Sequence, residues 1–134
     1  MKNSIGKVMT DKLSFILQSS TGQEAALKMD EDNASALVVL DSSETPVGVV
    51  TRRDLVRSTC IEDVPCNSIL VQDIMSTPIV TIDPYSPVEA AADVMKQNNV
   101  RHLLVVDGDK QNEPLGILSS RDFALYIENE LEGR

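Results

Sequence analysis

The sequence predicts an α/β fold, α+β-like in character, built from two tandem βαββα repeats that are related by a pseudo-two-fold axis. The first observation is internal repetition, because the first half of the 134-residue chain matches the second half after a shift of 66 residues. The second is that short β-branched runs alternate with helical apolar periodicity in each half. The third is a composition of 42% hydrophobic and 25% charged residues, which is typical of a globular chain that needs no disulfide or metal to fold.

The repeat sets the expected domain boundaries. The matched segments follow the same order in both halves, and the longest pair at a shift of 66 is residues 37–41 with 103–107. A longer loop in the second half, Gly108 to Glu113, then increases the shift to 68, which pairs residues 46–54 with 114–122. We therefore predict a first repeat over residues 1–58 and a second repeat over residues 69–134. The stretch between them, residues 59–68, carries Pro65 and several polar residues and is typical of a linker.

The opening elements of the second repeat show how each half is expected to fold. Residues 79–82 form a short β-branched run that ends at Asp83, which predicts a strand. Ser86 then matches a helix N-cap, with proline at the first helical position and Glu89 three residues after the cap. Apolar residues recur at helical spacing after it, and the pair Asn98-Asn99 is expected to end the helix.

The remaining segments complete an order of strand, helix, strand, strand, helix. Residues 103–106 are apolar at every position, as expected of a strand that is covered on both faces. Residues 115–118 predict a further strand, and residues 120–131 predict a final helix. The first half repeats this scheme, with residues 20–23 at the matching helix start.

Charge and cysteine content exclude several classes of partner. The 12 basic and 21 acidic residues give a net charge of −9, which argues against nucleic acid or an anionic membrane as the main partner. No apolar run approaches the roughly 18 residues of a membrane span, and no signal peptide is recognisable, so we expect a cytoplasmic protein. Cys60, Cys66 and the one histidine, His102, lack metal-ligand spacing, so we expect no metal.

Four features recur in both halves and carry a resemblance to a known family. They are a Met-Ser/Thr opening, a Glu-Ala-Ala…Met helix, an apolar strand that ends in aspartate, and Gly-x-x-Thr/Ser-x-x-Asp at Gly48 and Gly116. Together they resemble the CBS domain, and the chain from about Ile5 to Tyr126 is similar to a tandem, stand-alone CBS pair (a Bateman module). The resemblance implies two pseudo-symmetric halves and a cleft that binds an adenosyl ligand, namely AMP, ADP, ATP or S-adenosylmethionine.

The two copies of Thr/Ser-x-x-Asp are the first candidate ligand residues, as Thr51 with Asp54 and as Ser119 with Asp122. As local structure, each copy is close to a capping box, which satisfies free backbone N–H groups at a helix start. A helix N-terminus also attracts phosphate, and a carboxylate can accept hydrogen bonds from two hydroxyls. The resemblance implies that the aspartates hold ribose and that Thr51 and Ser119 reach ribose or phosphate. Both interpretations can hold for the same residues.

Basic residues distinguish the two halves. Arg101 and His102 lie just before the buried strand of the second half, where the resemblance implies side chains that meet phosphate. Without a ligand, Arg101 would be a solvated charge at the start of the strand, and His102 would be a polar residue at the end of the strand. The matching residues 35–36 are serine and alanine, so we expect a nucleotide to prefer the second cleft. Arg53 and Arg121 would supplement either site or are simply surface charges.

The resemblance also implies that Ile79, Val80 and Thr81 flank an adenine ring, the alternative being that they belong only to the sheet core. It predicts a regulatory module that binds an adenosyl ligand and signals to a regulated protein, with a homodimer as the simplest assembly. The alternative is a structural interaction or dimerisation domain with no bound ligand. The sequence shows no acid–base pair, Cys-His arrangement or metal cluster, so we do not expect an enzyme.

Overall fold

The computed structural model describes residues 3–110 and 113–133 and has the expected mixed α/β character. Each repeat follows the predicted order of strand, helix, strand, strand, helix, and one short helix precedes it. The first repeat contains α1 (Ile5–Val8), β1 (Phe15–Leu17), α2 (Gly22–Asp32), β2 (Ala36–Leu40), β3 (Pro46–Thr51) and α3 (Arg52–Val56). The second repeat contains α4 (Val71–Ile74), β4 (Thr81–Ile82), α5 (Val88–Asn98), β5 (His102–Val105), β6 (Gly116–Ser119) and α6 (Ser120–Glu132).

The two sheets share one topology. β1 pairs in parallel with β2, which pairs antiparallel with β3, and β4, β5 and β6 repeat this order. Leu103, Leu104 and Val105 of the central strand β5 are all fully buried, so this strand is covered on both faces as its unbroken apolar character predicts. β4 is shorter than the predicted strand over residues 79–82, because only Thr81 and Ile82 pair as strand residues.

The fold divides into two compact units. Each unit combines most of one repeat with the short leading segment of the other repeat. One unit covers residues 13–79, and the other contains the residues up to Lys12 together with those from Val80 onward. Ile5 of α1 is fully buried in the core of the second repeat. Its counterpart Val71 of α4 is fully buried in the core of the first repeat. Each core is therefore completed by apolar residues from a distant part of the chain.

The predicted linker, residues 59–68, contains more regular structure than its composition suggests. A π-helix over Arg57–Ile61 continues from α3, and a 3-10 helix covers Cys66–Ser68. Between them Asp63 has a φ of 57°, in the left-handed region that aspartate tolerates better than most residues. The predicted boundaries of the repeats on either side describe the sequence repeat and stay a prediction, since the compact units divide the chain at other places.

Gly116 and Gly48 are equivalent residues of the two sheets. Each allows a leading segment, the one that follows α1 or the one that follows α4, to cross its sheet at very short range. A Cβ atom on Gly116 would lie 2.6 Å from the Sδ atom of Met9 and 2.7 Å from the carbonyl oxygen of Thr10. A Cβ atom on Gly48 would lie 2.6 Å from the carbonyl oxygen of Ser76. Because these distances are below van der Waals contact, the crossings require residues without a side chain.

The start of α5 differs from the prediction. Ser86 is not its cap, because Pro87 occupies the N-cap position in an extended conformation and the helix begins at Val88 without a side-chain cap. The N–H of Val88 instead donates to the backbone oxygen of Asn3 at 3.1 Å. A carbonyl from the N-terminal segment therefore satisfies one N–H at the start of α5, where the sequence alone predicts capping by a serine.

We expect Thr21→Ala to lower the free energy of unfolding by about 1 kcal/mol and Ser86→Ala to leave it nearly unchanged. The Thr21 hydroxyl accepts the Glu24 N–H at 3.1 Å, and the Glu24 carboxylate accepts the Thr21 N–H at 2.9 Å, so Thr21 heads a complete capping box. Urea unfolding of the two variants beside the parent chain measures the difference. Equal losses would show that Ser86 also caps a helix.

Candidate functional site

The second-repeat candidates meet where β5 begins and β6 ends. In the antiparallel pairing of these strands, His102 lies opposite Ser119. The backbone oxygen of Arg101 accepts a hydrogen bond from the N–H of Ser120 at 2.9 Å. The first residues of α6 therefore lie beside the start of β5, which brings four predicted residues from two segments to one edge of the sheet. These residues are Arg101, His102, Ser119 and Asp122.

The local structure around Asp122 is the predicted capping box. The Ser119 hydroxyl accepts the Asp122 N–H at 3.1 Å, and the Asp122 Oδ2 atom accepts the Ser119 N–H at 3.0 Å. Both side chains are half-buried, so the box fixes the carboxylate while part of it still faces solvent. An ionised carboxylate has about four acceptor positions, and the Ser119 N–H occupies one of them. The cap is therefore compatible with further hydrogen bonds from a ligand.

Thr10 is a neighbour of Asp122 that the sequence analysis missed. Its Oγ1 atom lies 3.3 Å from Oδ2 and 3.4 Å from Oδ1 of that carboxylate, which makes a long hydrogen bond. Two backbone hydrogen bonds of 2.9 Å between Thr10 and Ile117 hold the segment in place. The repeat aligned Thr10 with Ser76 but gave no sign of which sheet either residue reaches. A ligand hydroxyl at Asp122 would share the carboxylate with Thr10.

Cationic side chains are available at this end of the second repeat. Arg101 and Arg121 are exposed, and neither forms an ion pair with any residue that the structure describes. His102 is half-buried at the first position of β5. A guanidinium that is not already paired can meet an anion with two parallel hydrogen bonds. The charge needed for a phosphate is therefore present beside the ribose-type acceptor.

The three predicted adenine neighbours lie in and just before β4. Ile79, Val80 and Thr81 are all half-buried. The carbonyl oxygen of Val80 accepts the N–H of Leu104 at 2.9 Å, and the Val80 side chain packs against the core of the second repeat. The sheet-core interpretation therefore holds for part of this segment. Ile79 falls in the compact unit of residues 13–79, and the other two residues fall in the second unit.

The first repeat has the same frame with different side chains. The Thr51 hydroxyl accepts the Asp54 N–H at 3.2 Å, and the Asp54 Oδ2 atom accepts the Thr51 N–H at 2.9 Å. Ala36 lies opposite Thr51, and Ser35 accepts the N–H of the first α3 residue at 3.0 Å. Serine and alanine thus occupy the positions of Arg101 and His102, as the alignment predicted.

A second residue that the sequence analysis missed is Arg52, the first residue of α3. It is exposed, like the neighbouring Arg53, and the equivalent position in α6 is Ser120. The signal was present in the sequence, because the alignment places a basic residue of the first half against a serine. The first repeat therefore lacks the strand-end cations but has an additional helix-start cation.

The described residues offer few alternatives to this site. Within residues 3–110 and 113–133, no three His, Cys, Asp or Glu side chains are grouped so that they could hold a metal ion. In the same part of the chain, no helix combines the length and apolar character that crossing a membrane requires. Cys60 is exposed, Cys66 is half-buried, and both thiols are free.

Comparison with known proteins decides the family. The family model described as the CBS domain matches residues 5–59 and again residues 71–129. The chain belongs to the CBS domain family. The two matches coincide with the two βαββα repeats, so the chain is a tandem CBS pair. The capping boxes at Thr51 and Ser119 lie within the first and the second match, respectively.

One curated relative and two solved structures place the CBS pair among known proteins. An uncharacterized 17.7 kDa protein from Acidianus ambivalens is 35% identical over 127 residues, which are 92% of this chain and 73% of the relative. The chain spans only 60% and 24% of the lengths of two further relatives. The whole activity of such longer proteins therefore extends beyond what this CBS pair covers.

Among solved structures, the hexameric CBS-CP12 protein from bloom-forming cyanobacteria has a TM-score of 0.81 and 28% identity, with coverage of 99% of this chain and 83% of that one. A CBS domain pair solved in complex with 5′-methylthioadenosine and S-adenosyl-L-methionine has a TM-score of 0.79 and 20% identity. That match covers 97% of this chain and 99% of the other. At this identity the second structure shows a shared fold.

Proposed function

We propose that this CBS pair is a regulatory module that binds an adenosyl ligand at the second repeat and signals to a protein partner. The ligand is AMP, ADP, ATP or S-adenosylmethionine. The observation that carries the proposal is that Arg101, which forms no ion pair with any described residue, lies at the same end of the sheet as the fixed carboxylate of Asp122. A CBS pair of the same fold has been solved with two adenosyl compounds, which supports this class of ligand.

Each part of the ligand has a proposed set of contacts. Asp122 accepts the ribose hydroxyls, and Ser119 reaches ribose or phosphate. Arg101 and His102 meet the phosphate, with Arg121 as a supplementary cation. The adenine ring lies against Ile79 and Val80, which precede β4, and against Thr81, the first residue of β4. In the first repeat Thr51 and Asp54 offer ribose contacts without the strand-end cations, so a nucleotide binds there more weakly.

A second candidate function is an interaction domain whose clefts bind no ligand. The contact of the Thr10 hydroxyl with Asp122 favours it, because a protein group already supplies one hydrogen bond to the carboxylate. Calorimetric titration of the intact chain with AMP, ADP, ATP and S-adenosylmethionine separates the two functions. Saturable heat with at least one of them is expected. No binding by any of the four would favour the interaction domain.

We also propose that the chain forms a homodimer. α6 leaves Ile127 and Leu131, which lie one turn apart on the same face, exposed with fractions of 37% and 63%, and a second copy would cover this apolar surface. Light scattering at tens of micromolar is expected to give twice the chain mass of 14.6 kDa. The mass of a monomer would contradict the proposal, and so would a hexamer of the kind formed by the cyanobacterial relative.

A further inference from the structure

A groove of about 380 Å³ lies between α1 and α6. This volume is within the range of small-molecule sites. Its walls come from Lys7 and Val8 of α1 and from Leu125, Asn129 and Glu130 of α6. With Asn3, Asp122 and Tyr126, which complete its lining, the groove combines one ammonium, two carboxylates, two carboxamides, a phenol and two aliphatic side chains. Asp122 also lines it, so the groove borders the proposed adenosyl site.

The opposite charges in this groove are not paired with each other. Lys7 is exposed and has no carboxylate within 4.0 Å among the residues that the structure describes. Glu130 is half-buried and forms no ion pair with any residue that the structure describes. A cation and an anion that share a cavity without direct contact leave room for a molecule that carries both charges.

Tyr126 lies in a part of the groove that two neighbouring carboxylates make electronegative. It is 7% exposed, and its hydroxyl lies 3.4 Å from the Oε2 atom of Glu89 and accepts the N–H of Asn3 at 3.4 Å. Burial raises the pKa of the Tyr126 phenol, and the carboxylates of Glu89 and Glu130 raise it further. The phenol therefore stays neutral beside two carboxylates, an environment that favours a cationic group.

We propose that this groove binds a small zwitterion of the α-amino acid class with an apolar side chain. The ammonium group of the ligand meets Glu130, and its carboxylate meets Lys7 and the side-chain amide of Asn129. Val8 and Leu125 contact the apolar side chain. The groove shares Asp122 as a lining residue with the proposed adenosyl site, but none of the contacts proposed here uses Asp122 or needs a nucleotide.

An NMR titration of the full chain with L-leucine tests the proposal. We expect saturable shifts of the backbone amides of Lys7, Leu125 and Asn129. Isocaproate lacks the ammonium group and isoamylamine lacks the carboxylate, so each should bind at least about ten-fold more weakly, because each loses one charge-assisted contact. Amide shifts that do not saturate with L-leucine, or an affinity for isocaproate equal to that for L-leucine, would overturn the proposal.

Substitutions locate the site. Glu130→Gln and Lys7→Met should each weaken L-leucine binding at least about ten-fold. Glu128→Gln is the matched control, because Glu128 is exposed on the same helix and does not line the groove. An equal loss in the control and in Glu130→Gln would contradict the assignment. If a variant fails to fold, the comparison of L-leucine, isocaproate and isoamylamine on the parent chain still tests whether the groove binds a zwitterion.

Discussion

Gly116→Ala is expected to lower the free energy of unfolding by about 1–3 kcal/mol, the usual range for forcing extra volume into a packed site. The new Cβ atom would lie 2.7 Å from the backbone oxygen of Thr10 and 2.6 Å from Met9 Sδ. The methionine side chain can move, but the carbonyl is fixed by two hydrogen bonds between Thr10 and Ile117. The strain therefore falls on the segment that also inserts Ile5 into the core.

Gly133→Ala is the control for this experiment, because its nearest neighbour would be 3.4 Å away, at ordinary contact distance. Urea unfolding should show a clear loss for Gly116→Ala and almost none for Gly133→Ala. Gly48→Ala should behave like Gly116→Ala, since its Cβ atom would lie 2.6 Å from the carbonyl oxygen of Ser76. A Gly116→Ala chain as stable as the parent would show that the N-terminal segment does not cross the sheet tightly.

The elements that local sequence determines were predicted well. Asn99 ends α5 in a left-handed conformation with φ of 53°, and Asn33 ends α2 in the same way with φ of 51°. Residues 103–106 are buried as their apolar character predicted. Ser119 and Asp122 form the capping box that their spacing predicted. In each case the physical cause lies within a few residues, so a single sequence contains the information.

Features that depend on distant partners were missed. Ser86 looked like a helix cap, but the acceptor for the N–H of Val88 is Asn3 in a segment more than eighty residues earlier. Thr10 and Asp122 are separated by 112 positions. A sequence repeat reveals which residues are equivalent, yet it does not reveal that the leading segment of each repeat packs in the core of the other repeat. The pseudo-two-fold axis and the ligand contacts stay predictions.

The second prediction with a large effect concerns Asp122 and Arg101. Asp122→Ala should weaken binding of both adenosine and AMP by about 1.5–3 kcal/mol, the range for hydrogen bonds to a charged group. Arg101→Ala should weaken binding of AMP by a similar amount and leave binding of adenosine nearly unchanged. Only AMP carries a phosphate, whose charge must be met by a cation when water leaves. Equal effects of Arg101→Ala on the two ligands would contradict the assignment of Arg101 to the phosphate.

Asp54→Ala supplies a closely matched control for Asp122→Ala. Each aspartate is the third residue of its helix, and each carboxylate accepts the N–H of its cap residue, at 2.9 Å for Asp54 and at 3.0 Å for Asp122. Each substitution removes the same hydrogen bond to a cap N–H, at a cost of about 1 kcal/mol, and Asp122→Ala also removes the contact with the Thr10 hydroxyl. Urea unfolding checks that both variants are folded. A difference between them in ligand affinity then reports on the site and not on the fold.

Calorimetric titration of AMP into the parent chain, Asp122→Ala and Asp54→Ala tests the central claim most directly. The claim is that the second repeat is the working adenosyl site, because the fixed carboxylate of Asp122 lies at the same end of the sheet as Arg101, which forms no ion pair with any described residue. We expect Asp122→Ala to weaken AMP binding by about 1.5–3 kcal/mol and Asp54→Ala to leave the affinity for AMP nearly unchanged. Loss of binding in Asp54→Ala with retained binding in Asp122→Ala would contradict the claim and assign the ligand to the first repeat.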